Sequence, residues 1–124
     1  MMTPATYDLT DTRAIRRQRD YILPLVLTNA NGTPVNLVGC TARAQIRAAR
    51  ARDATLLVAF SAVITDAVNG RITLSMTDTQ TAGIDAASKA GFWDLVITSA
   101  GALDYNYLEG RVQIIDTVTS LTTP

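Results

Sequence analysis

The strongest pattern in this sequence is an alternation of apolar and polar residues with a period of two. In the segment 42–47, the apolar residues Ala42, Ala44 and Ile46 alternate with two arginines and a glutamine. Successive side chains of a β-strand point to opposite faces, so this segment is predicted to be a strand with one buried face. Further strands are predicted at 21–27, 56–65, 71–76, 92–98 and 105–115.

Two of these strands carry information about their place in a sheet. Pro24 interrupts the first strand, 21–27, and proline has no N–H to donate to a neighbouring strand. We therefore expect that strand to lie at a sheet edge or to contain a bulge. The run 56–65 has apolar residues on both faces, which predicts a central strand.

Turn and capping signals separate the strands. Asn31-Gly32-Thr33-Pro34 and Asn69-Gly70 are predicted turns, because asparagine and glycine tolerate positive φ, and the second closes a hairpin. Thr77 and Gln80 fit a capping box at the start of a short helical turn. About seven predicted strands without an internal repeat indicate an all-β fold, a single immunoglobulin-like antiparallel β-sandwich.

The length of 124 residues fits one domain. Residues 1–12 show no periodicity and lead into a basic run at 13–19, so we predict a flexible N-terminal arm at 1–18. The sandwich domain is predicted at 19–116, followed by a threonine-rich C-terminal tail at 117–124. The N-terminus lacks the pattern of a secretory signal, so we expect synthesis and release in the cytoplasm.

The residue types argue against catalysis. The chain has no histidine, so Ser-His-Asp and Cys-His mechanisms lack their base, and the commonest zinc ligand is missing. Glycine-rich phosphate loops are also absent from the sequence. We therefore expect a protein that is not an enzyme and has neither a cofactor nor a metal.

A few single residues could still have a special role. Asp94 lies inside a predicted strand, where charge is disfavoured. It is predicted to face solvent or to pair with an arginine on a neighbouring strand, and a calcium or ligand role is the alternative. The candidate arginines are Arg43, Arg47 and Arg111.

The single cysteine and the aromatic residues are assigned to packing. Cys40 is predicted to be a small buried hydrophobe and not a nucleophile, because no base lies near it in the sequence. Trp93, Tyr105 and Tyr107 are predicted to be core and interface aromatics. The alternative for these rings is a stacking platform for bases or sugars.

Charge is balanced overall but unevenly distributed. Eleven basic and eleven acidic residues give a net charge of zero, so we expect neither a nucleic acid nor a membrane as partner. Residues 1–52 hold eight arginines and three acids, whereas residues 53–124 hold three basic and eight acidic residues. If the two sets occupy different faces, identical subunits could pack head to tail.

Four arginines in the basic run are the candidate partner-binding residues. They are Arg13, Arg16, Arg17 and Arg19. We expect them to dock on an acidic protein surface, since guanidinium groups pair well with carboxylates. A contact with nucleic-acid phosphates and a merely solvated arm are the alternatives.

A series of turn and strand motifs runs through residues 17–118 in a fixed order. The matching residues are Asn31-Gly32-Thr33-Pro34, Leu37, Gly39, Ala42, Ile46-Arg47, Asn69-Gly70, Ile72, Leu74, Thr77, Gln80-Thr81, Asp94-Leu95 and Glu109-Gly110. This order resembles the small immunoglobulin-like domains of tailed-bacteriophage virion proteins, and is similar to the N-terminal domain of phage baseplate upper proteins. The chain departs from the pattern at Arg19-Asp20, where Gly-Asp is usual, and at Trp93, where tyrosine is usual.

The resemblance implies a non-enzymatic virion structural protein, assembled in the host cytoplasm. Such a protein would be a tail, baseplate or fibre-adaptor component that binds neighbouring virion subunits through sheet edges and terminal arms. It implies a homo-oligomer within a symmetric assembly. The alternatives are a capsid decoration protein and a module that recognises host-surface glycan.

Overall fold

A computed structural model describes residues 5–51, 53–84 and 87–116. The chain forms an all-β, two-sheet sandwich of the immunoglobulin-like kind, which confirms the predicted fold class. Its elements are β1 (Ala5–Thr6), a 3-10 turn (Asp11–Arg13), β2 (Ile15–Arg16), β3 (Tyr21–Val26), β4 (Thr41–Arg47), β5 (Leu56–Ala59), β6 (Ser61–Asp66), β7 (Arg71–Met76), α1 (Asp78–Ala82), β8 (Ala90–Thr98) and β9 (Asp104–Ile115).

The two sheets differ in size. Within the described residues, the larger sheet has the strand order β1-β9-β8-β4-β5, with β2 also paired to β9, and the smaller sheet has the order β3-β7-β6. Strand β8 pairs antiparallel with β4 on one side and with β9 on the other. The core between the sheets includes Ala44, Ile46, Ile72, Leu74, Met76, Trp93, Leu95 and Ile97. These residues are the inward members of the alternating segments, as the sequence predicts.

Strand β3 lies at an edge of the smaller sheet, because β7 is its only partner among the described strands. Pro24 sits opposite Thr73 in that pairing and points away from the core. The prediction of an edge strand is therefore confirmed. The missing N–H of proline is tolerated where a strand has a neighbour on one side only.

The predicted central strand at 56–65 is wrong. The segment divides at Phe60 into β5, an edge of the larger sheet, and β6, an edge of the smaller sheet. Phe60 is 7% exposed, and its N–H donates to the Ala44 carbonyl at 2.9 Å, which fixes the crossing between the sheets. Apolar residues occupy both faces of the sequence pattern because the segment serves two sheets in succession.

The predicted turn at Asn69-Gly70 and the predicted capping box at Thr77 are confirmed. Thr77 accepts from the Gln80 N–H at 3.2 Å, and the Gln80 side chain accepts from the Thr77 N–H at 2.8 Å. Gly70, between β6 and β7, has a φ of +69°, and a Cβ at this position would lie 2.5 Å from the Leu27 carbonyl oxygen. Both the positive φ and the close approach require glycine there.

The N-terminal segment differs from the predicted arm. Strands β1 and β2 pair in parallel with β9, with Ala5 opposite Leu108 and Ile15 opposite Ile114. Leu9 and Ile15 are completely buried. Although its apolar residues have no regular period, the segment covers the edge of β9, so the sandwich begins near residue 5 and not at residue 19. Residues 1–4 and the predicted tail at 117–124 lie outside the described residues.

Candidate interaction surfaces

The four candidate arginines do not form one cluster. The Arg17 side chain is 9% exposed, and its Nε lies 2.5 Å from Asp116 Oδ1. Arg17 Nη1 donates to the Ile84 carbonyl at 2.6 Å, and Nη2 donates to the Ser88 carbonyl. The hydrogen bonds from Lys89 and Arg17 lower the pKa of Asp116. Arg17 therefore links the N-terminal segment to the end of β9 and to the α1–β8 connection.

The other three arginines lie closer to solvent. The Arg13 guanidinium stacks 4.9 Å from the centre of the Tyr7 ring, and Arg16 is exposed. Arg19 is half-buried, and its Nη1 donates to the Gln18 carbonyl at 3.0 Å. Binding of a partner by Arg13, Arg16 and Arg19 stays a prediction.

Trp93 is a core residue, as predicted. It is 2% exposed, and its Nε1 donates to the Tyr7 carbonyl at 2.7 Å. The indole packs edge-on against the rings of Tyr7 and Phe60, at centroid distances of 6.3 and 6.0 Å. Its position joins the N-terminal segment, the larger sheet and the crossing at Phe60.

The two tyrosines of β9 lie at one end of the sandwich. Tyr105 is 38% exposed, and its ring centroid lies 6.4 Å from that of the half-buried Tyr107. Burial is the largest cause that raises the pKa of Tyr107, followed by the nearby Cys40. Cys40 is half-buried at the margin of the core, so it is less enclosed than the sequence predicts.

The outer face of the smaller sheet has three exposed large apolar side chains on its two outer strands. Ile22 is 70% exposed, and Val26 and Val63 are each 53% exposed. Ile22 and Val26 point outward from β3 and Val63 from β6, on either side of the polar outward residues of β7. We call this surface, defined by Ile22, Val26 and Val63, the apolar face. Both of its flanking strands are sheet edges.

The outer face of the larger sheet forms a charged groove of about 890 Å³. It lies over β4, β8 and β9, and the β4–β5 connection adds Ala49, Arg50 and Ala51 to its lining. Its charged and aromatic lining residues include Arg43, Arg47, Arg50, Phe92, Asp94 and Glu109. We call this surface the charged groove.

Arg50, from the β4–β5 connection, reaches across the charged groove. Its Nη1 lies 2.6 Å from Glu109 Oε2, and its guanidinium lies 5.0 Å from the centre of the Phe92 ring. Arg47 is held differently, since it donates to the Ala54 carbonyl at 2.8 Å and to Gln45 Oε1 at 3.0 Å. The groove thus contains one arginine bound to a carboxylate and an aromatic ring, one arginine that supports the connection, and Arg43, whose Nη2 lies 3.7 Å from Asp104 Oδ1.

Asp94 lies on the floor of the charged groove, half-buried. Its partners in the strand register are Gln45 on β4 and Glu109 on β9, so none of the predicted arginines is its direct cross-strand neighbour. Burial raises the pKa of Asp94, Glu109 raises it further, and Arg47 opposes the shift. Within the described part of the chain, no ion pair within 4.0 Å joins Asp94 to an arginine.

Sequence reasoning found Asp94 from its charge inside a strand but missed Arg50, Phe92 and Glu109. The alternating pattern of β8 could have indicated Phe92, because an inward Trp93 places Phe92 and Asp94 together on the outer face. The position of Arg50 depends on the path of a connection, which the pattern does not reveal.

Two other kinds of feature are absent from the described residues. No group of three or more histidine, cysteine, aspartate or glutamate side chains there could hold a metal ion. In the same residues, no helix has the length and apolar character needed to cross a membrane.

The sheet arrangement defines the chain as an immunoglobulin-like β-sandwich domain. No protein-family model matches it, and no curated protein matches its sequence. Among solved structures, the crystal structure of the Lin-41 filamin domain is similar, with a TM-score of 0.42 and 17% sequence identity. The match covers 82% of this chain and 81% of that chain.

Proposed function

We propose that this chain is a non-enzymatic structural subunit of a tailed-bacteriophage virion, a tail, baseplate or fibre-adaptor component. In this role it binds neighbouring virion subunits through its sheet edges, its apolar face and its terminal segments. The order of turn and strand motifs in the sequence supports the phage assignment. The apolar face is the single observation that supports the binding role.

Exposure of the apolar face to water is energetically unfavourable. The solvent-facing positions of an antiparallel sheet are usually polar. Ile22, Val26 and Val63 nevertheless expose more than half of their surface there. Large apolar side chains that stay exposed on one sheet face are a common feature of interaction surfaces. The edges of β3 and β6 beside it also have backbone groups that no other strand of the described chain pairs with. A neighbouring subunit could therefore bury the face and pair with an edge at the same time.

The proposal is tested with a charge on the apolar face. Val63→Lys should leave thermal unfolding within about 2 °C of wild type, because the side chain points to solvent. In particles purified from the phage that encodes the chain, the copy number of this variant should fall at least about fivefold. Val68→Lys is the matched control, since Val68 is 62% exposed in the β6–β7 turn, outside the apolar face. Absence of the wild-type chain from purified particles would contradict the virion role.

The two alternative functions, capsid decoration and glycan recognition, are supported by different observations. A capsid decoration protein would bind through the same surfaces, and a copy number that matches the capsid lattice would favour it. A glycan-recognition module is favoured by the partly exposed Tyr105 between Asp104 and Asn106. Against that alternative, the Asp104 carboxylate already accepts from the Thr98 hydroxyl at 2.6 Å, and Trp93 is buried.

A further inference from the structure

The charged groove already contains a binding position for a guanidinium group. Arg50 fills it from within the chain, with Glu109 as the carboxylate and Phe92 as the aromatic surface. A charge-assisted hydrogen bond combined with a cation–π contact is a favourable way to recognise arginine. The internal contact therefore identifies the chemistry that this position accepts.

Arg50 is weakly held there by the rest of its segment. Its side chain is 57% exposed, and exposed ion pairs contribute little to stability. The neighbouring residues Ala48, Ala49 and Ala51 are all exposed, and the segment is held by its backbone, with the Ala48 N–H bound to the Thr55 carbonyl at 2.9 Å. The Arg50 side chain can therefore leave Glu109 at little cost when another cation competes, without a change in the path of the connection.

The groove also has a carboxylate that Arg50 leaves without an ion pair. Asp94 lies directly opposite Glu109, on the adjacent strand, and directly opposite residues have Cβ atoms about 4.5–5.5 Å apart. A guanidinium group is a planar fork with five donors, so one arginine could bind both carboxylates. Burial and Glu109 raise the pKa of Asp94, and Arg47 offsets this shift only in part.

We propose that the charged groove binds an arginine side chain presented by an extended segment of a different protein subunit, and that Arg50 is its displaceable internal competitor. Asp94 and Glu109 would receive the guanidinium, and Phe92 would lie beneath it. The identity of the partner as a virion subunit rests on the proposed function. The binding chemistry rests on the groove alone.

The test uses purified protein and a short peptide. The probe is an acetylated and amidated Thr-Arg-Thr-Arg-Thr peptide, titrated while amide chemical shifts of β8 and β9 are followed by NMR. Wild type should bind the peptide with shifts centred on Asp94 and Glu109. Arg50→Ala should tighten binding about threefold, because the internal competitor is removed. The peptide with lysine in place of arginine should bind more weakly than the arginine peptide.

Substitutions of the carboxylates test which of them bind the peptide. Asp94→Asn and Glu109→Gln should each weaken peptide binding about tenfold, whereas Asp104→Asn, at an exposed carboxylate of the same groove, should change it less than twofold. Thermal melting of each variant verifies that it is folded. Absence of binding to Arg50→Ala, an unchanged affinity in Asp94→Asn, or equal effects of Asp94→Asn and Asp104→Asn would overturn the proposal.

Two further outcomes separate this proposal from others. Concentration-dependent self-association of the wild type that Asp94→Asn abolishes would assign the groove to a second copy of the chain, and would overturn the assignment to a different subunit. Peptide binding does not depend on particle assembly. Loss of the groove's binding with normal incorporation into particles would therefore contradict this inference alone, and normal peptide binding by a chain absent from particles would contradict the virion role alone.

Discussion

The two sides of strand β8 show how one segment serves both packing and recognition. Its inward residues are almost fully buried, with Trp93, Leu95 and Ile97 at 2%, 0% and 2% exposure. Its outward residues, Phe92, Asp94 and Val96, are half-buried and line the charged groove. The inward set is constrained by the opposite sheet, whereas the outward set can include a carboxylate because water and polar neighbours remain within reach.

The N-terminal segment shows the same difference between a buried and an exposed side at two adjacent arginines. Arg16 is exposed, whereas Arg17 is buried, with its guanidinium bound to Asp116 and to two backbone carbonyls. A buried guanidinium needs such partners, because an unpaired charge is costly to remove from water. Arginine therefore stabilises the fold at position 17 and lies on the surface at position 16.

The largest effect is expected on the inward side of β8. Trp93→Ala should lower the free energy of unfolding by about 3–5 kcal/mol, because it removes a buried aromatic and leaves a cavity. That is a large share of the roughly 5–15 kcal/mol that stabilises a domain. Tyr105→Ala, at a partly exposed ring, should cost about 1 kcal/mol. Urea denaturation followed by circular dichroism measures both values, and near-equal losses would place Trp93 outside the core.

A smaller loss is expected from Arg17→Ala, about 2 kcal/mol, because the change leaves the Ile84 and Ser88 carbonyls without their donor. Arg16→Ala is the matched control one residue away and should change stability by less than about 0.5 kcal/mol. Chemical denaturation of the two variants gives the comparison. Equal stabilities of both variants and wild type would mean that the N-terminal segment is not part of the cooperative unit.

The sequence predicted the strands because a two-residue period is a local property. Strand β4, with alternating residues around Ala44, and the capping box at Thr77 both follow from neighbours in sequence. The division at Phe60 and the burial of Leu9 could not be predicted that way, since both depend on which sheet edge is available in the folded chain. The Arg50 contact depends on a connection that returns over the sheet, which is again a tertiary property.

The smallest effect is expected on the outward side of β8, at Asp94. Its pKa is raised above the ordinary value of 3.8 by burial and by Glu109 on β9, and Arg47 on β4 only partly offsets the shift. A carboxyl group with a raised pKa binds its proton more tightly in the folded state, so the ionised form destabilises the fold. Asp94→Asn, which is neutral at every pH, should therefore raise the melting temperature at pH 7 by about 1–2 °C.

The pH dependence of the melting temperature is the control for this prediction. The difference between Asp94→Asn and wild type should be constant well above the raised pKa, should shrink as the pH falls through it, and should vanish below 3.8, where aspartate is protonated in both folded and unfolded states. Asp104→Asn should show no gain of this kind, because the Asp104 carboxylate is exposed and accepts from Thr98. Melting curves from pH 3 to pH 8 measure the difference. A loss of stability in Asp94→Asn at neutral pH would show that the charged carboxylate is stabilised by the groove, and that the two sides of β8 differ less than their burial indicates.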